Sequence, residues 1–541
     1  MKRVFLTIAV VVFSTLVGVA QTTSYGGEII GAANMKHTDA ALLSQTDNSF
    51  MSARVAAMGG AFASLGADLS SMSINPAGLG MYRSSALSIS AGFNKARTTN
   101  AYNAAGSTDT DFAFNQVGLA LNLYQGSGSL ASFTFGFAYN KLADLNYVQN
   151  YSWSGDNVTI GEFFAEQMWG VPESWIGTNN DPFRNNDINV DEWGGVLAYQ
   201  TYLIDPVVDA DNNTSYVVPS IPLDMSINPH MVARSRGSVG EYTFSGGMNF
   251  ANILYVGATI GIQDISHSLD YKYAETYTPE SNDAAVLRYM SYTPQVSTYG
   301  SGINFKIGAI LRPIPAVRFG VAYHTSTSVE IIRDYQTSMY TLFGNGDAYG
   351  AESLINSFGL NYSSPNKLLL GASVQLGEKA LLSVDYDMVW YDNISFHTGY
   401  TNINEAMNRS VDLDLGKANN LRVGLEMRPL SRLYLRGGYA LYGSPFNDEV
   451  TELVKEDKPF YGNYKTTTEN YSLGLGWRFA GGSMLDVAWI NSTANYTNHY
   501  LYQYYTDNVA EGSDPILVQS PEIKNNKLRR NTFTATYTLL F

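Results

Sequence analysis

The sequence predicts an all-β protein: a transmembrane antiparallel β-barrel of about fourteen strands, with its lumen plugged by an N-terminal segment. Three observations predict this fold class. The composition is rich in tyrosine and glycine, with 38 Tyr and 49 Gly, and only 15% of residues are charged, which is typical of β-rich proteins. Apolar and polar residues alternate along many segments, and short and long connections alternate between those segments, as in barrels that span a membrane.

The first twenty residues predict export. Lys2 and Arg3 precede a continuous apolar run, and Gly18 and Ala20 supply the small residues that a signal peptidase reads. We therefore expect residues 1–20 to be a signal peptide that is cleaved before Gln21. A membrane anchor is the alternative, but the apolar run is short for a spanning helix.

The charge balance of the mature chain disfavours some partners. Without the signal peptide it carries 31 basic and 48 acidic residues, a formal charge of −17, so no nucleic acid is expected as a partner. Cysteine is absent, which excludes disulfides and a lipidated cysteine. No later stretch is long and apolar enough for a spanning helix, so membrane contact has to come from strands.

Period-two alternation marks the predicted strands. In "SFTFGFAYN", residues 132–140, aromatic residues occupy every second position, and in "TFTATYTLLF", residues 532–541, four threonines alternate with apolar residues. Fourteen such segments are predicted, at 84–93, 112–124, 130–140, 238–250, 253–264, 296–310, 316–325, 367–376, 380–390, 420–428, 432–442, 470–479, 483–491 and 532–541.

The connections predict the orientation of the barrel. Six of them are tight, at 125–129, 251–252, 312–315, 377–378, 429–431 and 480–482. The intervening ones are expected to run from about twenty to about a hundred residues, with 141–237 the longest. Short periplasmic turns and long extracellular loops are typical of outer-membrane barrels, whereas a sandwich mixes lengths and a propeller shows a repeat. Both termini are then expected to be periplasmic, and the terminal Phe541 resembles the signal that barrel assembly machinery reads.

The plug is predicted from residues 51–80, of which seventeen are Ala, Gly or Ser. Small residues allow close backbone approach, and a fourteen-stranded barrel is too wide for its own side chains to fill. The segment ends in "SINPAGLGMYRSS", where Pro76 and two glycines predict a turn, yet no residue between Asp68 and Arg83 is charged. A turn without charge indicates that protein encloses it.

This region resembles a known family. "ARVAAMGGAFASLGADLSSMSINPAGLGMYRSS", residues 53–85, is similar to the N-terminal hatch of the FadL/TodX family of outer-membrane transporters. Asn75, Pro76 and Ala77 match the family's tripeptide, and Gly78 and Leu79 match its usual continuation. The resemblance divides the mature chain into an N-terminal extension at 21–50, a hatch at 51–83 and a barrel at 84–541, whereas the extension and the 141–237 loop have no counterpart.

The resemblance implies passive uptake of hydrophobic small molecules, typically long-chain fatty acids, by a protein of the bacterial outer membrane that is not an enzyme and needs no cofactor. Its hatch, here Asn75, Pro76, Ala77 and Gly78, rearranges, and the ligand leaves sideways beside a kinked third strand. Gly136 is the candidate for that kink, and packing is the alternative role of this glycine. The expected partners are a hydrophobic ligand, outer-membrane lipid and the barrel assembly machinery.

Two further sets of site residues are predicted. In the long loop, Phe163, Phe164, Trp169 and Trp175 are candidates for a hydrophobic capture groove, unless they simply pack the loop. On the luminal faces of the strands, arginines are candidates to bind a carboxylate, unless they pair with neighbouring acids. These luminal polar candidates are Arg422, Arg436 and Arg478.

The sequence gives little support for a metal site, a hydrolase site or a nucleotide site. The six histidines show no HxxxH spacing, so no metal site is expected, and neither a GxSxG motif nor a P-loop occurs. Two rival functions remain. A FadL-like barrel can act as a partner-binding accessory of protein secretion, and a barrel hydrolase is the third hypothesis.

Overall fold

A computed structural model of the chain describes residues 33–155, 158–177, 181–208, 214–219, 225–278, 286–399, 401–447, 467–495, 500–506 and 516–541. The predicted signal peptide and its cleavage site lie outside the described residues, as does the first part of the predicted N-terminal extension.

Fourteen strands form one closed antiparallel wall, as predicted. They are β1 Ala86–Asn100, β2 Asn103–Gln125, β3 Leu130–Asp144, β4 Ser226–Phe250, β5 Leu254–Thr278, β6 Leu287–Ile314, β7 Val317–His324 with Ser328–Phe343, β8 Ala348–Glu352 with Asn356–Ser363 and Asn366–Leu376, β9 Ala380–Trp390 with Ser395–His397, β10 Lys417–Met427, β11 Leu433–Tyr442, β12 Thr468–Arg478, β13 Met484–Asn495 and β14 Lys527–Leu540. Each strand pairs with the next, and β14 pairs with β1 from Leu540 opposite Ala86 to Lys527 opposite Thr99. Each of the fourteen predicted segments overlaps one of these strands.

Short helices lie inside the wall and in the connections. The N-terminal segment contains α1 His37–Leu43, α2 Ala53–Ala57, α3 Ser71–Ile74 and the 3-10 helices Asn48–Phe50 and Pro76–Met81. The β3–β4 connection contains the strand Tyr147–Ser152, α4 Ile160–Gln167, α5 Glu173–Ile176, the 3-10 helices Pro182–Arg184 and Val190–Glu192, α6 Trp193–Gln200 and the hairpin Asp205–Val208 with Thr214–Val217. The β9–β10 connection contains the 3-10 helix Tyr391–Asn393 and α7 Thr401–Asp414, and the β13–β14 connection contains the hairpin Gln503–Thr506 with Ile516–Gln519. Among the described helices, none has the length and apolarity that crossing a membrane requires.

Alternation gives the wall an apolar outer face. Along β1, apolar side chains point outward while serines and Asn94 are buried toward the lumen. Four aromatic side chains lie in cross-strand register on four neighbouring strands, and we call them the aromatic row: Trp489 on β13, Phe533 on β14, Phe93 on β1 and Phe112 on β2. In barrels of this kind, outward-facing aromatic side chains are concentrated near the membrane–water interfaces, so the aromatic row is interpreted as part of the girdle on the long-loop side.

The connections are partly as predicted. All six tight turns occur at one end of the barrel, but some of the predicted long loops are strand. The β1–β2 connection is only residues 101–102, because both strands continue outward to form a hairpin. Strands β4, β5 and β6 have 25, 25 and 28 residues, because their outer ends bury side chains such as Tyr292 and Val296 in a core formed by the long connections.

The described chain begins at the long-loop end of the barrel, and the N-terminus that was predicted to be periplasmic lies outside the described residues. Asn34 donates a hydrogen bond from its side-chain amide to Asp191 in the β3–β4 connection, at 2.7 Å. The chain end is at the opposite face, where the backbone N–H of Phe541 donates to the carbonyl of Ser85 at 3.0 Å. The N-terminal residues therefore pass along the lumen before the first wall strand, and residues 33–50 continue the luminal segment rather than forming a separate extension.

Candidate functional site

The N-terminal segment occupies the lumen almost without exposed surface. Between Met51 and Gly80, only Arg54, Ala67 and Asp68 are not buried. Its backbone bonds directly to the wall, and the N–H of Ala53 donates to the hydroxyl of Thr536 on β14 at 2.7 Å. The small side chains of this segment are what permit such close approach.

Nine glycines on nine different strands face this segment, and we call them the wall glycines. At each of them, an added Cβ would lie less than 3.0 Å from an atom of the N-terminal segment. They are Gly136, Gly247, Gly257, Gly308, Gly320, Gly371, Gly424, Gly438 and Gly474. Sequence reasoning missed this set, although its members stand at lumen-facing positions of predicted strands. At six of the nine, the close atoms include the backbone of the segment, and at the other three they belong to side chains of the segment. The segment therefore packs where the wall carries no side chain.

The Asn-Pro-Ala turn is enclosed, as predicted, and it is fastened to the wall. The side-chain nitrogen of Asn75 donates to the carbonyl of Ala63 at 2.6 Å and lies 3.3 Å from the carbonyls of Ala309 on β6 and Val321 on β7. Its side-chain oxygen accepts the N–H of Ala77 at 3.1 Å, which caps the following 3-10 helix. One buried amide therefore holds the turn, the rest of the segment and two wall strands together.

Pro76 and Gly78 both suit the tight geometry of the same turn. Pro76 is the first residue of the 3-10 helix, where its missing N–H has no cost. An added Cβ at Gly78 would lie 2.6 Å from the hydroxyl of Ser71. Larger residues at Gly78 would therefore push the two halves of the segment apart.

Two of the predicted luminal arginines are buried in ion pairs. Arg436 bonds to Glu426 at 2.7 Å and to Asp486 at 2.5 Å. Glu426 also accepts Arg54 of the N-terminal segment at 3.2 Å, and Arg422 pairs with Asp387. Arg422 and Arg436 were candidates to bind a ligand carboxylate, with pairing to neighbouring acids as the alternative. The structure supports the alternative, because both guanidinium groups already form ion pairs with acidic residues of the wall. Arg478 is exposed near the β12–β13 turn and does not join them.

A buried carboxylate and ammonium join the segment to the wall at a second point. Glu241 on β4 pairs with Lys306 on β6, and it accepts the hydroxyl of Ser73 at 2.7 Å and the amide of Asn304 at 3.1 Å. Both charged side chains are almost completely buried. Because a buried charge without a partner is costly, this cluster fixes the position of Ser73.

A cavity of about 190 Å³ lies between the N-terminal segment and the wall. Apolar side chains from both parts form one portion of its lining, including Leu42, Met51, Leu142 and Leu145. Charged side chains form another portion, including Asp144, Lys306, Lys367 and Arg530. The ammonium of Lys367 donates to the hydroxyl of Thr46 at 3.0 Å, and among the described residues it forms no ion pair with a carboxylate. The cavity is therefore amphipathic.

Strand β3 bends beside this cavity. Its ladder with β2 ends where Gln116 pairs with Asn140, whereas its ladder with β4 continues past a register shift between Lys141 and Ala143. Beyond Gln116, the outer part of β2 has no β3 partner among the described pairs. Both ladders run without a register shift at Gly136, so the bend lies farther along than this candidate. Gly136 instead makes room for Met72 of the N-terminal segment.

The β3–β4 connection folds as a cap with its own core. Phe164 is 1% exposed and packs edge-on against Tyr292, with ring centroids 5.1 Å apart. Phe163 packs against the same core. These two residues therefore pack the cap, which is the alternative to a capture groove. Trp169 and Trp175 remain 65% and 37% exposed.

Glu275 fastens this cap to the outer end of β5. Its carboxylate accepts the hydroxyl of Thr159 at 2.6 Å, the N–H of Ile160 at 2.9 Å, the hydroxyl of Tyr273 at 2.7 Å and that of Tyr277. Burial raises the pKa of the Glu275 carboxyl, and the hydrogen bonds oppose that rise only in part. Glu275 therefore accepts hydrogen bonds both from the start of α4 and from the outer end of β5.

Replacing Glu275 with alanine is expected to loosen the cap by about 2–4 kcal/mol, because it leaves several buried donors without an acceptor. Limited proteolysis should then cut the β3–β4 connection faster, while the wall keeps its heat-modifiable migration on a gel. Glu352→Ala, at an exposed position of β8, is the control. Equal cleavage rates in the two variants would contradict this role for Glu275.

The closed fourteen-stranded wall, its apolar outer face and the filled lumen define the class of the protein: a transmembrane β-barrel occupied by its own N-terminal segment.

Among known proteins, no family model and no curated protein matches the sequence. Solved structures do show similarity. The toluene transporter TodX of P. putida shares 12% identity, with 92% of this chain and 99% of that chain covered and a TM-score of 0.48. A FadL homologue of Pseudomonas aeruginosa shares 11% identity, with 91% and 98% covered and a TM-score of 0.49. The toluene transporter TbuX of Ralstonia pickettii shares 13% identity, with 92% and 99% covered and a TM-score of 0.46.

Proposed function

We propose that this protein is an outer-membrane channel for the passive uptake of hydrophobic small molecules such as long-chain fatty acids. The observation that carries the proposal is the amphipathic cavity, which reaches the inner side of the β3 bend through Leu142, Ala143 and Leu145. Beyond that bend, β2 and β3 are no longer paired. We place the exit of an apolar molecule toward the lipid at this unpaired stretch of the wall.

The N-terminal segment serves as the hatch in this proposal. It closes the lumen below the cavity, so a ligand cannot diffuse straight through without displacing the turn that Asn75 fastens. Sideways exit between β2 and β3 avoids that displacement and delivers an apolar ligand into lipid. The driving force is the ligand's own concentration gradient.

An anionic head group suits the polar part of the cavity. Lys367 is bonded only to Thr46 among the described residues, so its ammonium is free to bind a carboxylate. The apolar portion of the lining suits an alkyl chain. A long-chain fatty acid has both parts, whereas an aromatic hydrocarbon has only the second.

Filling the cavity at the bend tests the path. Ala143→Trp is expected to reduce uptake of labelled oleate about tenfold, because an indole cannot fit beside Leu142 and Leu145 without occupying the cavity. Uptake is measured in cells that lack their own fatty-acid transporter and express this chain. Labelled toluene, measured in parallel, distinguishes an aromatic substrate from a fatty acid.

Phe137→Trp, on the lipid-facing side of the same strand, is the matched control and should leave uptake unchanged. Heat-modifiable migration confirms that each barrel is folded. Oleate uptake by Ala143→Trp at the wild-type rate would refute the path, and no uptake of either substrate by the folded wild-type chain would refute the function.

In this proposal, Trp169 and Trp175 are the residues of the cap that capture the ligand. Both indoles are exposed on the long-loop side, where an apolar ligand arrives first. Phe163 and Phe164 act only by holding the cap in shape.

A further inference from the structure

A cluster of basic side chains lies on the outer face of the wall, and we call it the basic patch. It consists of Lys95 and Arg97 on β1 and Arg529 on β14, all exposed. Arg97 and Arg529 are directly opposite each other in the β1–β14 ladder. Like charges in this arrangement destabilise a sheet, and the chain as a whole carries a net charge of −15. Binding of an external anion would therefore relieve the repulsion between Arg97 and Arg529.

The protein itself does not neutralise the basic patch. The neighbours on the same face are uncharged: Thr110 is opposite Lys95, Thr108 is opposite Arg97, and Thr493 is opposite Arg529.

Asp109, an acidic residue of β2 near the patch, forms an ion pair with a residue outside the patch. Asp109 pairs with Arg236 at 2.9 Å and lies opposite Ala96, whose side chain is buried toward the lumen. Among the described residues, none of the three cations of the patch forms an ion pair. The guanidinium of Arg97 donates a hydrogen bond to the carbonyl of Ala105 at 2.6 Å, which leaves its positive charge without a counter-ion among the described residues.

The level of the basic patch is set by the aromatic row. Lys95 and Arg97 follow Phe93 by two and four positions, and Arg529 precedes Phe533 by four positions. At about 3.3 Å per residue, the three cations lie roughly 7 to 13 Å beyond the aromatic row along the strands. That distance corresponds to the layer of lipid head groups, and the long-loop end places it in the outer leaflet.

We propose that the basic patch binds the phosphate of a phosphorylated glycolipid in the outer leaflet. Two arginines side by side provide planar, bidentate donors for phosphate oxygens, and Lys95 adds a third cation one step closer to the aromatic row. The hydroxyls of Thr108 and Thr493 supply further donors, and the aromatic row below packs against the acyl chains. Each part of the lipid thus meets a matching part of the wall.

The test compares lipid retention by the purified full-length protein. Delipidated protein in detergent is titrated with bisphosphorylated lipid A, and the bound fraction is measured by native mass spectrometry. Replacing the patch by K95Q/R97Q/R529Q is expected to weaken binding about tenfold or more, since each basic residue near an anionic lipid surface contributes separately. Dephosphorylated lipid A should bind the wild-type protein as weakly as the phosphorylated lipid binds the triple variant.

The matched control removes three exposed cations from the opposite end of the barrel, as K379Q/R432Q/R478Q, and should retain lipid A like the wild type. Equal retention by both triple variants would overturn the proposal, and so would equal binding of the dephosphorylated lipid. Displacement of lipid A by an equimolar amount of inorganic phosphate would assign the patch to free phosphate instead. Because binding is measured without transport, the outcome is independent of the proposed uptake function.

Discussion

Gly438→Val is expected to open the lumen to water-soluble molecules. An added Cβ at this position would lie 2.1 Å from the backbone nitrogen of Gly59 and 2.3 Å from the carbonyl carbon of Met58. Backbone atoms cannot rotate away as a flexible side chain does, so the N-terminal segment has to leave its seat against β11. Because the wall alone is too wide to close itself, conductance in planar bilayers should rise about tenfold.

The adjacent residue provides a matched control for this experiment. Gly437 points outward, and the atom nearest to its added Cβ is 3.8 Å away, on Leu473. Gly437→Val should therefore conduct like the wild type, although the two variants have the same composition. If Gly438→Val is folded by its gel migration and conducts no more than Gly437→Val, the segment does not seal the lumen.

Glu241→Ala is expected to destabilise the protein by about 3–5 kcal/mol, because it leaves the Lys306 ammonium buried without a carboxylate. The hydroxyl of Ser73 loses its acceptor in the same change. Urea unfolding of the protein reconstituted in lipid vesicles measures the free energy of unfolding.

The double variant Glu241→Ala/Lys306→Met separates the ion pair from packing. Removing both charges should recover most of the lost stability, since a buried ion pair is often replaceable by apolar groups. A double variant that is as unstable as Glu241→Ala alone would contradict this explanation and would place the cost in the contact with Ser73.

The wall was predictable from sequence because its determinants are local. Period-two alternation and tight turns act over about ten residues, and they identified all fourteen strands. The outer end of β4, residues 226–237, was not predicted, and it contains Pro229, a residue type that is disfavoured in a central strand. That residue is tolerated because its missing N–H would face the end of the strand Tyr147–Ser152, where its carbonyl accepts the N–H of Trp153 at 3.2 Å, and so the β4–β5 ladder loses no hydrogen bond.

The site was predictable only in part, because much of it depends on contacts between strands that no local pattern contains. The Asn75 turn was recognisable because its residues restrict the backbone by themselves. The wall partners of Arg422 and Arg436 depend on register between strands, which alternation does not fix. The β3 bend was assigned to a glycine, whereas it occurs where Asp144 turns inward to pair with Lys141. The register shift at Lys141 depends on the pairing with β4, which the local pattern of β3 does not contain.

The hydrogen bond between Ala53 and Thr536 joins residues 483 positions apart. Its acceptor belongs to the strand that is synthesised last, so the seat of the N-terminal segment is incomplete until that strand is in place. Seating the N-terminal segment completely therefore requires a contact of very high sequence separation, and such contacts form slowly. Most of that seat is formed by the wall glycines, which lie on strands that precede β14 in the chain. The contact with β14 is therefore expected to be the last part of that seat to form.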